Sequence, residues 1–523
     1  MSVGSLSAGR LAGVIDSGRA RARGDPAATV ITVALVSLTV LAAILRFTRL
    51  AHQGFWFDEA NTAADLRYAP GKMLGLLPQN ETTPPLFYCV AWVWARIFGF
   101  GEFALRSLPA LAGVATVPVM YLATARLVSR RAGIVAAALT ACNPFLVWYS
   151  QEFRPYMPMV LLAAASLLAF AQARERPTRG TLIAWAVICS LALADHYYAL
   201  LVVVPEAVWL LADHRRSRGL WLPIAFVAIC GVALLPLAVS QNSSGNASWI
   251  HPIPLVPRLA QIVPQFLVGF QAPSARALER IVEVCVLIAF VLLAVRADRR
   301  ERRGAFVAAT IALSGFVLNL LLVAGGIDDL ITRNLLALWP PAAIVVATGL
   351  GARRAGRLGI AAAVAVCATG VIAVIGVDVD RGFQRPDWRA VGRALGAEPP
   401  RSVSERAILV QNYRDLLPLS LYLHGLHWLG HSSARVSQFD VVSVKAPRVP
   451  LCWWGAACNL TTSTIQRNYA IGGMRTVSRR QALQFTVLEM ASSKPVLVTP
   501  ASVAAALKTT RFRHDELLVQ RRT

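Results

Sequence analysis

Apolar stretches long enough to cross a bilayer recur between residues 28 and 377, and no other feature limits the fold so tightly. A spanning helix needs roughly 18–20 apolar residues, because in lipid every backbone N–H and C=O must be satisfied within the segment. Charged residues make up 15% of the chain and hydrophobic ones 56%, against roughly 25% charged in ordinary soluble domains. The chain is therefore expected to be a polytopic α-helical membrane protein.

The net charge of +24, from 52 Lys+Arg against 28 Asp+Glu, would suggest nucleic-acid binding in a soluble protein. Here the basic residues cluster in short loops between apolar runs, as the positive-inside rule demands, so no nucleic-acid partner is expected. Only Lys72, Lys445, Lys494 and Lys508 are lysines, an arginine bias that suits a GC-rich bacterial genome. The tail 1–27 is polar and basic and has no cleavage-site pattern after the first apolar run, so an uncleaved first helix and a cytoplasmic tail are expected.

Basic loops at Arg19–Arg23, Arg126–Arg131, Arg174–Arg179, Arg215–Arg218, Arg296–Arg303 and Arg353–Arg357 set the topology. An even number of crossings separates each pair if helices lie near 28–48, 104–126, 133–149, 157–171, 181–195, 198–212, 219–239, 281–296, 304–324, 334–350 and 358–377. That gives about eleven spans, thirteen at most. The apolar segment 84–98 would invert every later basic loop if it crossed. Its tryptophans and its length suit an interfacial helix inside a long external loop, 49–103. Residues 378–523 have ordinary polarity and alternate helix and strand patterns (helices at 387–395, 415–424 and 501–508; strands at 407–412, 436–444, 495–499 and 515–520), which predicts an extracytoplasmic α/β domain. There the external Cys452 and Cys458 suit a disulfide rather than a metal site, while Trp428, Trp453, Trp454 and Tyr422 suit either core packing or stacking on sugars.

With this topology the acidic and amide-rich loops gather on one side of the membrane: Asp58-Glu59, Gln151-Glu-Phe-Arg154, Asp195-His196, and Asp328-Asp329 with Arg333. Ionisable groups at a membrane boundary are costly and often functional. A carboxylate held there can act as general base toward an acceptor hydroxyl; the plain alternative is a solvated loop end. Glu206, inside the sixth run, suits a packing contact equally well.

Taken in order, Phe55-Trp-Phe-Asp-Glu-Ala60, Pro84-Pro-Leu-Phe-Tyr88, Leu105-Arg-Ser-Leu-Pro109, Trp148-Tyr-Ser-Gln-Glu-Phe-Arg-Pro-Tyr156, Arg333-Asn-Leu-Leu336 and Pro386-Asp-Trp-Arg389 give the chain a family likeness. The series resembles the GT-C superfamily of membrane glycosyltransferases, in its branch of protein O-mannosyltransferases and lipid A aminoarabinose transferases (glycosyltransferase family 39-like). Thr83 stands where many relatives have His before the Pro-Pro pair, and Asn334 where an aromatic often follows Arg.

The resemblance implies a GT-C fold and an enzyme that takes a sugar from a polyprenyl-phosphate carrier. A mannose or an arabinofuranose-like sugar would pass to a glycan, glycolipid or protein acceptor outside a bacterial plasma membrane. It implies Asp58 as general base, with Glu59 assisting or positioning the acceptor. The leaving group is a lipid phosphate, for which arginine offers fixed planar donors, so Arg333 and Arg154 are candidates for the donor phosphate, with headgroup anchoring or a structural ion pair as the alternative. Glu152, His196, Tyr88, Tyr156 and Asp195 are candidates for acceptor or sugar contact, with an ion pair or turn role as the alternative. No resident cofactor is required, although Asp58, Asp328 and Asp329 are oxygen donors suited to a divalent cation, Mg or Ca. The absence of a cytoplasmic nucleotide-binding domain favours a lipid-linked donor. The rival classes are a lipid-linked-sugar flippase or transporter and a non-catalytic lipid-binding assembly protein.

Overall fold

The computed structural model describes residues 26–522, apart from 215–217, 270–271, 273, 401–402, 411–415, 431, 445–468, 483–484 and 508–515. Cys452, Cys458, Trp453 and Trp454 lie outside the described residues.

The chain opens with α1 (Pro26–Phe47), then three short helices, α2 (Phe57–Asp65), α3 (Pro70–Asn80) and α4 (Leu86–Phe98). The bundle continues with α5 (Glu102–Leu127), α6 (Arg130–Cys142), α7 (Pro144–Ser150), α8 (Tyr156–Glu175), α9 (Arg179–Asp195) and α10 (Leu200–His214). It is completed by α11 (Trp221–Ala233), α12 (Leu235–Ser243), α13 (Leu255–Ala260), α14 (Ile262–Val268), α15 (Ala275–Val295), α16 (Arg299–Ala324), α17 (Trp339–Gly351) and α18 (Gly356–Val379).

Each of the eleven segments read as spans coincides with helix, but the count does not carry over unchanged. By length and composition, eight membrane-crossing helices stand among the described residues, nine if the bent pair α6–α7 is one span. The other two expected spans fall on α9, with only 17 residues, and on α15, whose first half carries Arg276, Glu279, Arg280 and Glu283. The segment expected at the interface forms the 13-residue α4, about 20 Å long at ~1.5 Å per residue and too short for a ~30 Å hydrocarbon core. One face of α4, with Phe87, Tyr88, Ala91 and Ala95, packs in a cluster with Ala60, Ala63, Met73 and Leu77 of α2 and α3.

The span expected at 133–149 is broken rather than straight. Pro144 lacks an N–H and cannot bond the Thr140 carbonyl, so the chain bends by 56° between α6 and α7. Arg46, at the foot of the first external loop by sequence, is instead fully buried at this break. Its guanidinium donates to Thr140 O at 2.9 Å, Ala141 O at 3.0 Å and Ser150 Oγ at 3.1 Å. Gly113 of α5 is needed alongside, since a Cβ there would lie 2.2 Å from Ser150 Oγ and 2.7 Å from Arg46 Nε. Arg46→Met therefore strands two buried carbonyls, at about 1–3 kcal/mol each. The expected result is a clearly lower thermal midpoint of the detergent-purified protein.

Beyond α18 the chain forms α19 (Trp388–Leu395), β1 (Glu405–Val410), α20 (Leu416–Ser420), β2 (Leu426–Trp428), β3 (Ala434–Val444), β4 (Arg475–Ala482), β5 (Phe485–Val498), α21 (Pro500–Leu507) and β6 (Glu516–Arg521). The strands form one sheet in the order β2-β6-β1-β3-β5-β4. Among the described residues β1 and β3 pair in parallel and the remaining neighbours are antiparallel. The buried run Ala407–Val410 sits mid-sheet, while Trp388 of α19 packs on Phe485 with ring centroids 4.5 Å apart. Trp428 is 66% exposed on an edge strand and is not core.

Candidate active site

The site is built on α2, whose first turn carries both carboxylates. Glu59 is fully buried. Its Oε1 and Oε2 accept from Arg106 of α5 at 2.7 and 2.5 Å, and it also takes the backbone N–H of Phe153 at 2.8 Å and of Trp56 at 3.3 Å. Burial alone would lift the Glu59 carboxyl, but the Arg106 charge and hydrogen bonds hold it below the usual carboxylate range. Arg106 spends its remaining N–H groups on the carbonyls of Leu50, Gln53 and Gly54. Glu59 was expected to assist catalysis or position the acceptor. The structure instead gives it the role of a clamp that joins α2, α5 and the 151–155 turn.

Asp58 precedes it by one residue, about 100° around the helix, and so faces away from the clamp. Its side chain is 24% exposed, with Oδ2 3.6 Å from Arg333 Nη1. Arg333 stands on the 3-10 turn Thr332–Leu338 that leads into α17. Its guanidinium lies over the rings of Tyr156, at 5.7 Å, and Trp249, at 5.5 Å. Its Nε is buried and makes no hydrogen bond among the described residues. Asp58 and Arg333, assigned separate roles from sequence, are thus brought together, with 24% and 21% of their side chains exposed.

Other candidates are distributed differently. Arg154, expected at the donor phosphate, is a buried partner of Glu81 at 2.6 Å and of Thr62 Oγ1 at 2.8 Å. Its Nη1 ties the Glu81 loop to α2, while its Nε makes no hydrogen bond among the described residues. Glu152 pairs with Arg385 at 2.8 Å and not with Arg154. Arg385 in turn stacks on Trp148 at 4.0 Å. Burial pushes the Glu152 carboxyl up, and Arg385 offsets only part of that; its Oε1 makes no hydrogen bond among the described residues.

Tyr156 lies in the site, edge-on to Tyr149 at 4.9 Å and 5.5 Å from the His196 ring. His196 is buried, its Nδ1 accepting the Tyr198 N–H at 3.2 Å as in a turn, while its Nε2 and the neighbouring Asp195 Oδ2 make no hydrogen bond among the described residues. Tyr88 is buried and bonds Thr83 Oγ1 at 2.6 Å, so its hydroxyl is engaged within its own loop. Glu206 is buried among Ser166, Trp185 and Cys189 and is remote from these groups in its bonding.

The cation set considered from sequence is not assembled. Asp328 makes a two-pronged pair with Arg258, 2.7 Å on each arm, which holds its carboxyl below the usual range. Asp329 shares a hydrogen bond with Tyr198, and Asp58 faces Arg333. Among the described residues no three His, Cys, Asp or Glu side chains gather as a metal group.

The C-terminal domain grips the loop that carries Asp58. Asp387 caps α19, and its Oδ1 would stand 2.9 Å from a Cβ at residue 54, which only glycine avoids. Arg389 reaches the carbonyls of Ala51 at 3.0 Å and His52 at 2.6 Å, and Glu102 at 3.4 Å. The Tyr422 hydroxyl accepts the Phe55 N–H at 2.8 Å and donates to Glu102 at 3.0 Å. Tyr422→Phe leaves that N–H unpaired, a loss of about 1–2 kcal/mol. Hydrogen exchange of residues 51–65 is expected to quicken roughly tenfold, with the overall fold retained.

Sequence reasoning missed Arg106, Glu81, Arg385 and Tyr422 as builders of this site. The signals were present: Arg106 is a charge near the start of a spanning run, and Glu81 stands three residues before the Pro84-Pro85 motif.

Comparison with known proteins agrees with this architecture. Residues 82–240 match the family model described as dolichyl-phosphate-mannose-protein mannosyltransferase. Among solved structures, ArnT from Cupriavidus metallidurans bound to undecaprenyl phosphate superposes with a TM-score of 0.54 at 15% identity, covering 88% of this chain and 98% of that one. The Archaeoglobus fulgidus oligosaccharyltransferase, in its complex with Zn and sulfate, aligns at a TM-score of 0.41 and 14% identity, covering 69% of this chain and 55% of that one. The S. cerevisiae Pmt1–Pmt2 protein O-mannosyltransferase complex bound to the sugar donor aligns at 0.33 and 18%, covering 41% and 34%. No curated protein matches by sequence. The chain shares the fold of the ArnT structure over most of its length, and residues 82–240 match the dolichyl-phosphate-mannose-protein mannosyltransferase family model.

Proposed function

We propose that this protein is a membrane glycosyltransferase that moves one sugar from a polyprenyl-phosphate carrier to a hydroxyl acceptor, with Asp58 as general base. The observation that carries this is the partly open Asp58–Arg333 pair, 3.6 Å apart, beside the rings of Tyr156 and Trp249. The acceptor oxygen attacks the anomeric carbon and its proton passes to Asp58 as the carbon–oxygen bond to phosphate breaks. The bond's electron pair leaves with the polyprenyl phosphate, whose developing charge is met by Arg333. Burial of Glu59 in its clamp fixes the Asp58 helix before substrate arrives, so that geometry is set in advance.

The family match and the polyprenyl phosphate in the superposable ArnT structure support a lipid-linked donor. Mannose or an arabinofuranose-like sugar, and a glycan, glycolipid or protein acceptor, remain the substrate classes to examine. We place the site and the C-terminal domain on the outer face of a bacterial plasma membrane, from the distribution of basic loops. The test is transfer of radiolabel from mannosyl- and arabinofuranosyl-polyprenyl phosphates to envelope acceptors by the purified protein in liposomes. Transfer from one donor supports the reading and names the sugar. Movement of intact lipid-linked sugar between leaflets, with no transfer, would favour the flippase class instead.

A further inference from the structure

At the far end of α5 from Arg106 the structure contains a cleft with two arginines on largely apolar walls, which the transfer reaction does not use. It lies where the first turns of α1 meet the last turns of α5 and α8 and the first turn of α6, an open groove with a volume of about 480 Å³. Arg126 follows Arg106 by twenty residues on the same helix, about 30 Å at ~1.5 Å per residue, so the cleft opens at the opposite membrane face. Arg126 and Arg130 line it together with Thr32, Tyr121 and Gln172.

The charge is available to a ligand. Arg126 meets Glu175 at 2.7 Å, but the two side chains are 43% and 58% exposed, and exposed pairs contribute little. Arg130 has no ion-pair partner among the described residues. The rest of this face is basic as well. Arg131 donates to the Arg353 carbonyl, and Arg174 is paired with Asp213 at the base of α8. Beside the cleft the helices turn apolar side chains outward: Val30 is 68% exposed, Val33 60% and Leu122 48%. A ligand that fits has an anionic head of phosphate type and an apolar body that runs along α1 and α5. Free phosphate would leave those apolar walls unused.

We propose that this cleft is a binding site for an anionic phospholipid, its phosphate held between Arg126 and Arg130 and its acyl chains lying along α1 and α5. Basic pockets between membrane helices are suited to such headgroups. The site is independent of the glycosyltransferase reading and can be tested without any assay of transfer.

The experiment is native mass spectrometry of the delipidated full chain after incubation with phosphatidylglycerol or phosphatidylcholine. Wild type is expected to retain phosphatidylglycerol preferentially. The doubly substituted Arg126→Gln/Arg130→Gln chain should lose roughly tenfold or more of that retention, at unchanged monodispersity. Arg353→Gln/Arg354→Gln, with the same charge removed from this face outside the cleft, should retain the lipid as wild type does. Equal loss in both variants, or no preference in wild type, would overturn the site in favour of diffuse surface attraction. Displacement by millimolar inorganic phosphate would overturn the lipid and leave a simple anion site.

Discussion

Arg106→Met is expected to cost about 3–5 kcal/mol, because it leaves the Glu59 carboxylate charged and unpaired in a fully buried position. The guanidinium also holds the carbonyls of Leu50, Gln53 and Gly54, so the whole entry to α2 loses its anchor. The chain should purify in low yield with a sharply lower thermal midpoint. Glu59→Gln/Arg106→Met should recover a large part of the loss, since it removes both charges together. Recovery separates an electrostatic clamp from simple loss of side-chain volume, which the double variant would not repair. Because Glu59 sits one residue from Asp58, the single variant should also abolish any activity that depends on Asp58.

Arg333→Met is expected to lower turnover by roughly 10²–10³-fold with modest change in stability, as removal of one preorganised donor to a developing oxyanion does elsewhere. The arginine makes one weak ion pair and two ring contacts and keeps a buried Nε without a hydrogen bond among the described residues. Its worth therefore lies in what it offers to a ligand and little in what it holds together. Arg333→Lys should recover only part of the rate: charge is kept, but the planar fork that matches two phosphate oxygens is lost. Initial-rate measurements across donor concentrations check this, and a loss confined to donor KM would show that Arg333 binds the donor equally in the ground and transition states and does not act on the leaving charge.

Much of the fold was legible because lipid leaves so few solutions. Apolar length located every helix read as a span, and the basic loops suggested their pairing. What apolar length could not show was the break at Asn143-Pro144, although proline after asparagine is a stop signal of its own. In the C-terminal domain the buried runs at β1, β3 and β6 were read, whereas β4, with sequence RTVSRRQA, was not. An edge strand largely exposed on both faces has no apolar period to read.

At the site, Asp58 and Arg333 were legible as members of one site because topology put them on one side, but their direct pairing was not. The partners of Glu59, Glu152 and Arg154 were not, since Arg106, Arg385 and Glu81 lie 47, 233 and 73 residues away in sequence. Which of several arginines meets which acid is decided by tertiary packing alone. Tyr422 is a similar case: either core packing or sugar stacking fitted its type, and the structure gives it the Phe55 N–H instead.

The measurement that bears most directly on the central claim is sugar transfer by Asp58→Asn beside wild type, with binding of polyprenyl phosphate followed in the same preparations. Asn keeps the shape of Asp58 and removes its capacity to take a proton. The account predicts a fall in transfer of about 10²–10⁴-fold with lipid binding retained. Transfer at near wild-type rate by Asp58→Asn would contradict it.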